Sequence, residues 1–399
     1  MRFRINARLR SVASPFSAYK YTLLGSQYCA DSRTLEQLVK WRISLLRHFP
    51  FYLGLPLSIL LLYVHLSIAP VSSVPLFFLA IVFFFHSIEN SLVYAFDEPE
   101  HARLLCEDPE NYGFNTWEPV KLFPDGKPMP MITGYLLLQD DPSVRSTSPT
   151  VLILHGNAGN IGHRLPFCRL LADHVQCNIL IVDYRGYGRS SGTPTELGLY
   201  ADAKASLEFL LDRTDIAKDK LFLFGRSIGG AVAIWLTAHL RSAILRGVII
   251  ENSFTSLPEA AQHIFSKSFG SFARYLLPKV LFINRYPALD LMRAFVCKSS
   301  VRPRFLFISG SADDLIPPRM MQELAHAYRL SGSDNVNLGA DYGSASPSSF
   351  LKDGKDGLVC FPGGQHNNTW LCPDWGSVVS RFIQQACACP ARTALSGTI

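Results

Sequence analysis

Short apolar runs, each too brief for a helix, alternate along most of this chain with segments of helical periodicity. The runs are Thr150–His155, Asn178–Tyr184, Leu221–Gly225, Gly247–Glu251, Phe305–Ser309 and Leu358–Pro362. They lack the apolar/polar alternation of a half-exposed strand, so each suits a strand covered on both faces. The helical patterns between them are Arg164–His174, Glu196–Asp212, Ile228–Leu240, Pro318–Leu330 and Pro373–Ala386. Strands alternating with helices predict an α/β fold, a mostly parallel central sheet with helices on both faces. Pro124-Asp125-Gly126-Lys127 is a turn signal, and Met131–Gln139 is expected to return from it as the second strand of a hairpin. Two stretches break the alternation. Asn252–Pro303, with Phe265, Phe269, Phe272 and Tyr275, is longer than a crossover needs and is expected to form a cap over the body; the Gly-, Ser- and Asp-rich 331–357 suits a flexible surface insertion.

Ahead of this body lies a different kind of sequence. Residues 49–88 contain no Lys, Arg, Asp or Glu, and about twenty apolar helical residues cross a bilayer's hydrocarbon core. A transmembrane segment is therefore expected there, as one span kinked near Pro70 and Pro75 or as a hairpin turning around Ala69–Val74. The run starts too late and is too long for a cleaved signal peptide. Residues 1–48 hold nine Lys and Arg against Asp31 and Glu36, so the chain's net charge of +6 resides in this arm, and the remainder sums to about −1. The basicity is thus no binding face, and a nucleic-acid partner is excluded as the first reading. After the run, residues 89–110 carry seven acidic side chains and Arg103. Basic flanks stay cytoplasmic, so a single span puts the C-terminal body outside the cytosol, as a type II protein; a hairpin would leave both ends cytoplasmic. The expected division is an arm over 1–48, the membrane segment over 49–88, a linker with the first strands over 89–130, the α/β body over 131–386 and a tail over 387–399. The nine cysteines show no metal-ligand spacing, and no metal or cofactor is expected.

Gly225-Arg226-Ser227-Ile228-Gly229-Gly230 follows an apolar run and opens a helical one. Gly-x-Ser-x-Gly in that context makes a sharp elbow that lifts a serine hydroxyl above the carboxyl edge of the sheet. A serine hydroxyl is a weak nucleophile and needs a base that is itself held by an acid, in the chain order Ser, acid, His. Ser309–Pro318 leaves a strand end in the right place and offers Asp313 as the acid, with Asp314 as the neighbour that can replace it. His366, in Gly363-Gly364-Gln365-His366-Asn367 after the last run, is the base. The oxyanion of a tetrahedral intermediate requires backbone donors; one is the amide of Ile228, and the second falls in the loop Leu154–Asn160. His155, in that Gly-rich turn, suits loop anchoring better than base chemistry, and no Gly-Lys-Ser/Thr follows to make a phosphate loop. Asn367-Asn368-Thr369 is the chain's one Asn-x-Ser/Thr sequon, a possible glycosylation site beside the proposed base.

These stretches resemble the α/β-hydrolase fold family, and within it the membrane-anchored serine hydrolases. The resemblance rests on Leu154–Arg164, Asp183-Tyr184-Arg185-Gly186-Tyr187-Gly188, Leu221–Ile234, Phe307–Pro318 and Gly364–Trp370, and covers about Met131 to Ala386. It implies Ser227, Asp313 and His366 as nucleophile, acid and base, Asn157 as the second oxyanion amide, no cofactor, and a single span with the body outside the cytosol. The long arm and the 331–357 insertion depart from the pattern. The function this reading supports is hydrolysis of an ester or thioester through an acyl-enzyme, with membrane lipid as partner and a palmitoyl-protein or lipid ester as substrate. A peptidase of the same fold, or a non-catalytic scaffold built on a hydrolase shell, are the alternatives.

Overall fold

The computed structural model describes residues 56–60, 63, 67, 70–124, 126, 128–239, 244–298, 302–329, 346–353 and 357–388. Strands β1 (Trp117–Leu122) and β2 (Ile132–Leu137) pair antiparallel, Trp117 opposite Leu137 and Leu122 opposite Ile132, with Gly126 between them at φ 64°. Then follow β3 (Thr150–Leu154), β4 (Asn178–Asp183), β5 (Leu221–Arg226), β6 (Leu245–Glu251), β7 (Arg304–Gly310) and β8 (Gly357–Phe361). They form one sheet in the order β1-β2-β4-β3-β5-β6-β7-β8, antiparallel at β1/β2 and β2/β4 and parallel from β4 to β8. Every residue of β3 and β4 is buried, as the unbroken apolar runs require.

Because successive strand residues point to opposite faces, each run divides between two cores. Leu152, Leu154, Leu180, Val182 and Leu223 face one layer of helices. Val151, Ile153, Ile179, Ile181 and Phe224 face the other. Helices α2 (Leu165–Val175), α3 (Glu196–Asp212) and α4 (Ile228–His239) fall where the periodicity put them. Helix α3 starts where the Thr195 hydroxyl accepts the Gly198 amide at 3.1 Å.

The expected cap divides in two. Helix α5 (Leu257–Phe269) and the turns Ser271–Leu276 and Lys279–Leu281 stand over the strand ends, whereas α6 (Ala288–Lys298) packs against α4 and α7 (Pro318–Arg329) as an ordinary crossover helix. Its buried Ala288, Met292, Phe295 and Val296 recur at helical spacing, a pattern masked in the sequence by the aromatic residues around it. The insertion is also not uniformly loop-like. Pro347–Asp353 forms α8, which buries Phe350 and packs beside α9 (Trp375–Ala388).

Preceding the sheet, α1 (Pro70–Val93) covers the second half of the charge-free run, passes unbroken through 70–74 and continues beyond it to Val93. Among the described residues no helix is long and apolar enough to cross a membrane. The arm 1–48, residues 49–55, residues 331–345 and 354–356 of the insertion and the tail after Ala388 lie outside the described residues.

Candidate active site

Strand β5 ends at Arg226 and α4 begins at Ile228, so Ser227 alone makes the turn, at φ 54°. That left-handed conformation is costly for a residue with a Cβ and is held by its surroundings. The Ser227 amide donates to the Glu251 carbonyl at 3.0 Å, and its own carbonyl accepts the Ser253 hydroxyl at 2.8 Å. The flanking glycines are steric necessities. A Cβ on Gly225 would strike the Gly229 main chain, and one on Gly229 would strike the Leu154 carbonyl.

Above this elbow the structure brings together three side chains from the ends of three strands. Ser227 Oγ lies 3.1 Å from His366 Nε2, and His366 Nδ1 lies 2.8 Å from Asp313 Oδ2. All three are buried. The other carboxylate oxygen of Asp313 accepts the amides of Leu315 at 3.0 Å and Ile316 at 2.8 Å, which fixes the plane of the group. Asp314 points the other way. It is exposed, pairs with Lys267 Nζ at 2.8 Å, and has its carboxyl pulled below the usual range by that ammonium. Neither the Ile228 nor the Asn157 amide donates to another group among the described residues, and both residues line the same cavity as Ser227.

His155 is buried between Tyr184 and Tyr187 with Nδ1 donating to the Gly156 carbonyl at 2.7 Å. Burial pushes its pKa down to about 3, so it stays neutral and braces the loop, as its place in a Gly-rich turn implied. Asn157 is tied through its side chain to α1: Nδ2 donates to the Val93 carbonyl at 2.5 Å, and Oδ1 accepts from Tyr187 Oη at 2.6 Å. In the sequon, Asn367 is exposed with Oδ1 accepting from Arg226 Nη2 at 2.6 Å, while Thr369 is fully buried.

Asn252 belongs to this site as well, although the sequence placed it only at the start of the cap. At φ 46°, its Nδ2 donates to the carbonyl of His366 at 3.2 Å and to Thr369 Oγ1 at 3.0 Å, while Oδ1 accepts the Gly310 amide at 2.9 Å. It thereby ties the histidine loop to the end of β7. The only local signal was an Asn directly after a strand, where its tolerance of left-handed backbone is useful.

The cavity in front of Ser227 measures about 840 Å³. This is within the roughly 300–1,000 Å³ typical of ligand sites. Its walls come from the elbow, the 155–159 loop, α5 with the turn at Phe282, and the last turns of α1 through Phe85, Leu92 and Val93. Most of that surface is apolar. No cluster of three or more metal-binding side chains occurs among the described residues.

A family profile described as the alpha/beta hydrolase fold matches residues 149–298. Protein bem46 of Schizosaccharomyces pombe is 31% identical over 302 residues, covering 76% of this chain and 88% of that protein. The uncharacterized membrane protein YNL320W of Saccharomyces cerevisiae is 30% identical, covering 65% of this chain and 82% of its own length. Among solved structures, the esterase Pf2001 of Pyrococcus furiosus superposes with a TM-score of 0.51 at 18% identity, over 71% of this chain and 96% of the esterase. That last likeness bears on fold alone.

Proposed function

The chain belongs to the alpha/beta hydrolase fold family, together with bem46 and YNL320W, and from that premise we propose that it is a membrane-anchored serine hydrolase that cleaves carboxylic esters or thioesters. The observation that carries this reading is the continuous hydrogen-bonded chain from Ser227 through His366 to Asp313 at the wall of an apolar cavity. In this reading His366 Nε2 takes the Ser227 proton as Oγ attacks the acyl carbon. The amides of Ile228 and Asn157 receive the oxyanion. The imidazolium then protonates the departing alcohol or thiol, and a water molecule, deprotonated by the same imidazole, releases the acid from Ser227. Asp313, locked by two main-chain amides, keeps Nδ1–H pointed at itself and steadies the imidazolium.

The apolar walls support an acyl chain as the acid part, with a palmitoyl-protein thioester or a lipid ester as the substrate type. Anchoring as a single-span type II protein is supported by the basic arm, the charge-free run and the acidic residues after it. The test is covalent labelling of the full-length protein in membranes by a fluorophosphonate probe. Wild type should label, and Ser227→Ala should lose both label and ester turnover, the latter by about a thousandfold or more. Retained labelling of Ser227→Ala, or an unlabelled wild type, overturns the proposal.

A further inference from the structure

Five charged or ionisable side chains besides His366 line the cavity, and four of them are accounted for. The carboxylate of Glu89 accepts three N–H groups, from Ile283 and Asn284. Arg226 lies 3.8 Å from Glu251 Oε1 and donates to the His366 carbonyl at 2.9 Å and to Asn367 Oδ1. His155 is neutral, and His163 Nδ1 accepts the Asn160 amide at 3.1 Å. Arg164 is the exception. Its one hydrogen bond runs from Nη2 to the Ala158 carbonyl, its Nε is buried without a partner, and no carboxylate oxygen lies within ion-pair distance among the described residues.

The surroundings of Arg164 make an unpartnered guanidinium costly. Burial and the like charge of Arg226 lower its pKa to about 10. The carboxyl that opposes them through space, Asp183, is held near neutrality by its own burial, with a pKa of about 7. A guanidinium whose Nε is buried and unpartnered, with no counter-ion among the described residues, is unfavourable. Such a group persists on a cavity wall where an anion from outside completes it. Arg164 lines the same cavity as Ser227, and its bond to Ala158 braces the loop whose Gly156 lies beside Ser227. The remaining walls, with Ile264, Phe265, Leu277 and Phe282, suit hydrocarbon.

We propose that this cavity selects acyl esters whose alcohol portion carries a phosphate or carboxylate, and that Arg164 is the specificity-determining residue that receives the anion. The proposal rests on the hydrolase reading of the same cavity. The acyl chain lies along the apolar walls, the scissile carbonyl sits at Ser227, and the anion on the leaving side pairs with the guanidinium that has no carboxylate partner among the described residues.

The experiment uses the full-length protein in membranes and three lauroyl esters below micelle formation: lauroyl glycerol, its 3-phosphate, and lauroyl glycerate. The phosphate and carboxylate arms separate the two sources of anion. Wild type should favour at least one anionic ester over lauroyl glycerol by about tenfold or more in kcat/KM. Arg164→Gln should shrink that ratio by about tenfold or more, and Arg164→Lys should recover part of it. A binding arm needs no turnover: dodecyl phosphate or dodecanoate should raise the Tm of Ser227→Ala protein more than dodecanol does, and adding Arg164→Gln should remove the difference. A wild-type ratio of one or less for both anionic esters overturns the inference. So does an Arg164→Gln variant that slows all three esters equally, which would make Arg164 only a support for the loop. If no ester is hydrolysed but the alkyl anion binds through Arg164, the hydrolase reading fails and the anion site stands; turnover without anion preference gives the reverse.

Discussion

Glu89, near the end of α1, accepts the Asn284 main-chain amide at 2.8 Å and the Asn284 side-chain amide at 3.0 Å while being itself almost wholly buried. Ile283 donates a third N–H at 2.9 Å, and Asn284 Oδ1 accepts from Tyr94 Oη at 2.7 Å. The helix that continues from the charge-free run is therefore riveted to the chain segment below the cap, and the same helix walls the cavity. Glu89→Ala would leave the buried Asn284 main-chain amide without an acceptor, would strip the part-buried Ile283 amide of its partner and would leave the Asn284 side-chain amide only Asn90 Oδ1. We expect it to cost about 3 kcal/mol and lower Tm by roughly 5 °C or more. Since Phe85, Leu92 and Val93 line the cavity, KM for an acyl ester should rise more than kcat falls. Thermal unfolding and steady-state kinetics check this, and a Tm within a degree of wild type sinks it.

Asp313 and Asp314 are adjacent in sequence and opposite in environment. Asp313→Asn should lower turnover by about 10³–10⁴-fold, because an amide cannot hold the imidazole in the required tautomer. Asp314→Asn removes only an exposed pair with Lys267, and its effect should stay within about threefold. Rates of both variants on one ester decide the matter; comparable losses would reassign the acid.

Asp183 gives a pH-dependent stability with a definite sign. Its Oδ1 accepts the Ile161 amide at 2.9 Å, but burial dominates and raises the carboxyl from 3.8 to about 7. The unfolded chain releases this proton near pH 4 and the folded protein near pH 7. Between those values the folded state holds more protons, so this group's contribution to stability falls as pH rises, by up to about 1.4 kcal/mol per pH unit. Asp183→Asn does not ionise. Wild type should therefore lose stability relative to Asp183→Asn from pH 4 to 7, with the difference flat above about 8. Denaturant unfolding of both proteins across that range is the check, and a pH-independent difference would count against it.

The proposed topology puts the body on the side opposite the basic arm. In sealed microsomes, protease added outside should leave residues after α1 intact until detergent opens the vesicles. A glycan at Asn367 would stand at the cavity edge, since Asn367 is exposed there and bonded to Arg226. Glycosidase-sensitive mobility that Asn367→Gln removes gives a second readout of lumenal exposure. Digestion of the body by protease outside intact vesicles overturns the assignment.

Much of this was written locally. The strands of the sheet could be located because a strand buried on both faces must be apolar at every position, as β3 and β4 are. The elbow could be located because only glycines fit where Gly225 and Gly229 meet neighbouring main chain. Ser227, Asp313 and His366 each follow a strand, so their convergence at one sheet edge was implied by the parallel order. What sequence left open were relationships between distant segments with no periodicity to announce them. Asp313 and Asp314 differ only in which one faces His366, and that depends on the turn after β7. Asn252 reaches His366 across 114 positions, and Glu89 reaches Asn284 across 195. A single polar side chain carries no pattern of its own; its meaning comes from what burial places opposite it. Arg164 is the extreme case, for its distinguishing property is the lack of a carboxylate partner among the described residues, and only a folded interior, by closing Nε off from water, could make that absence count.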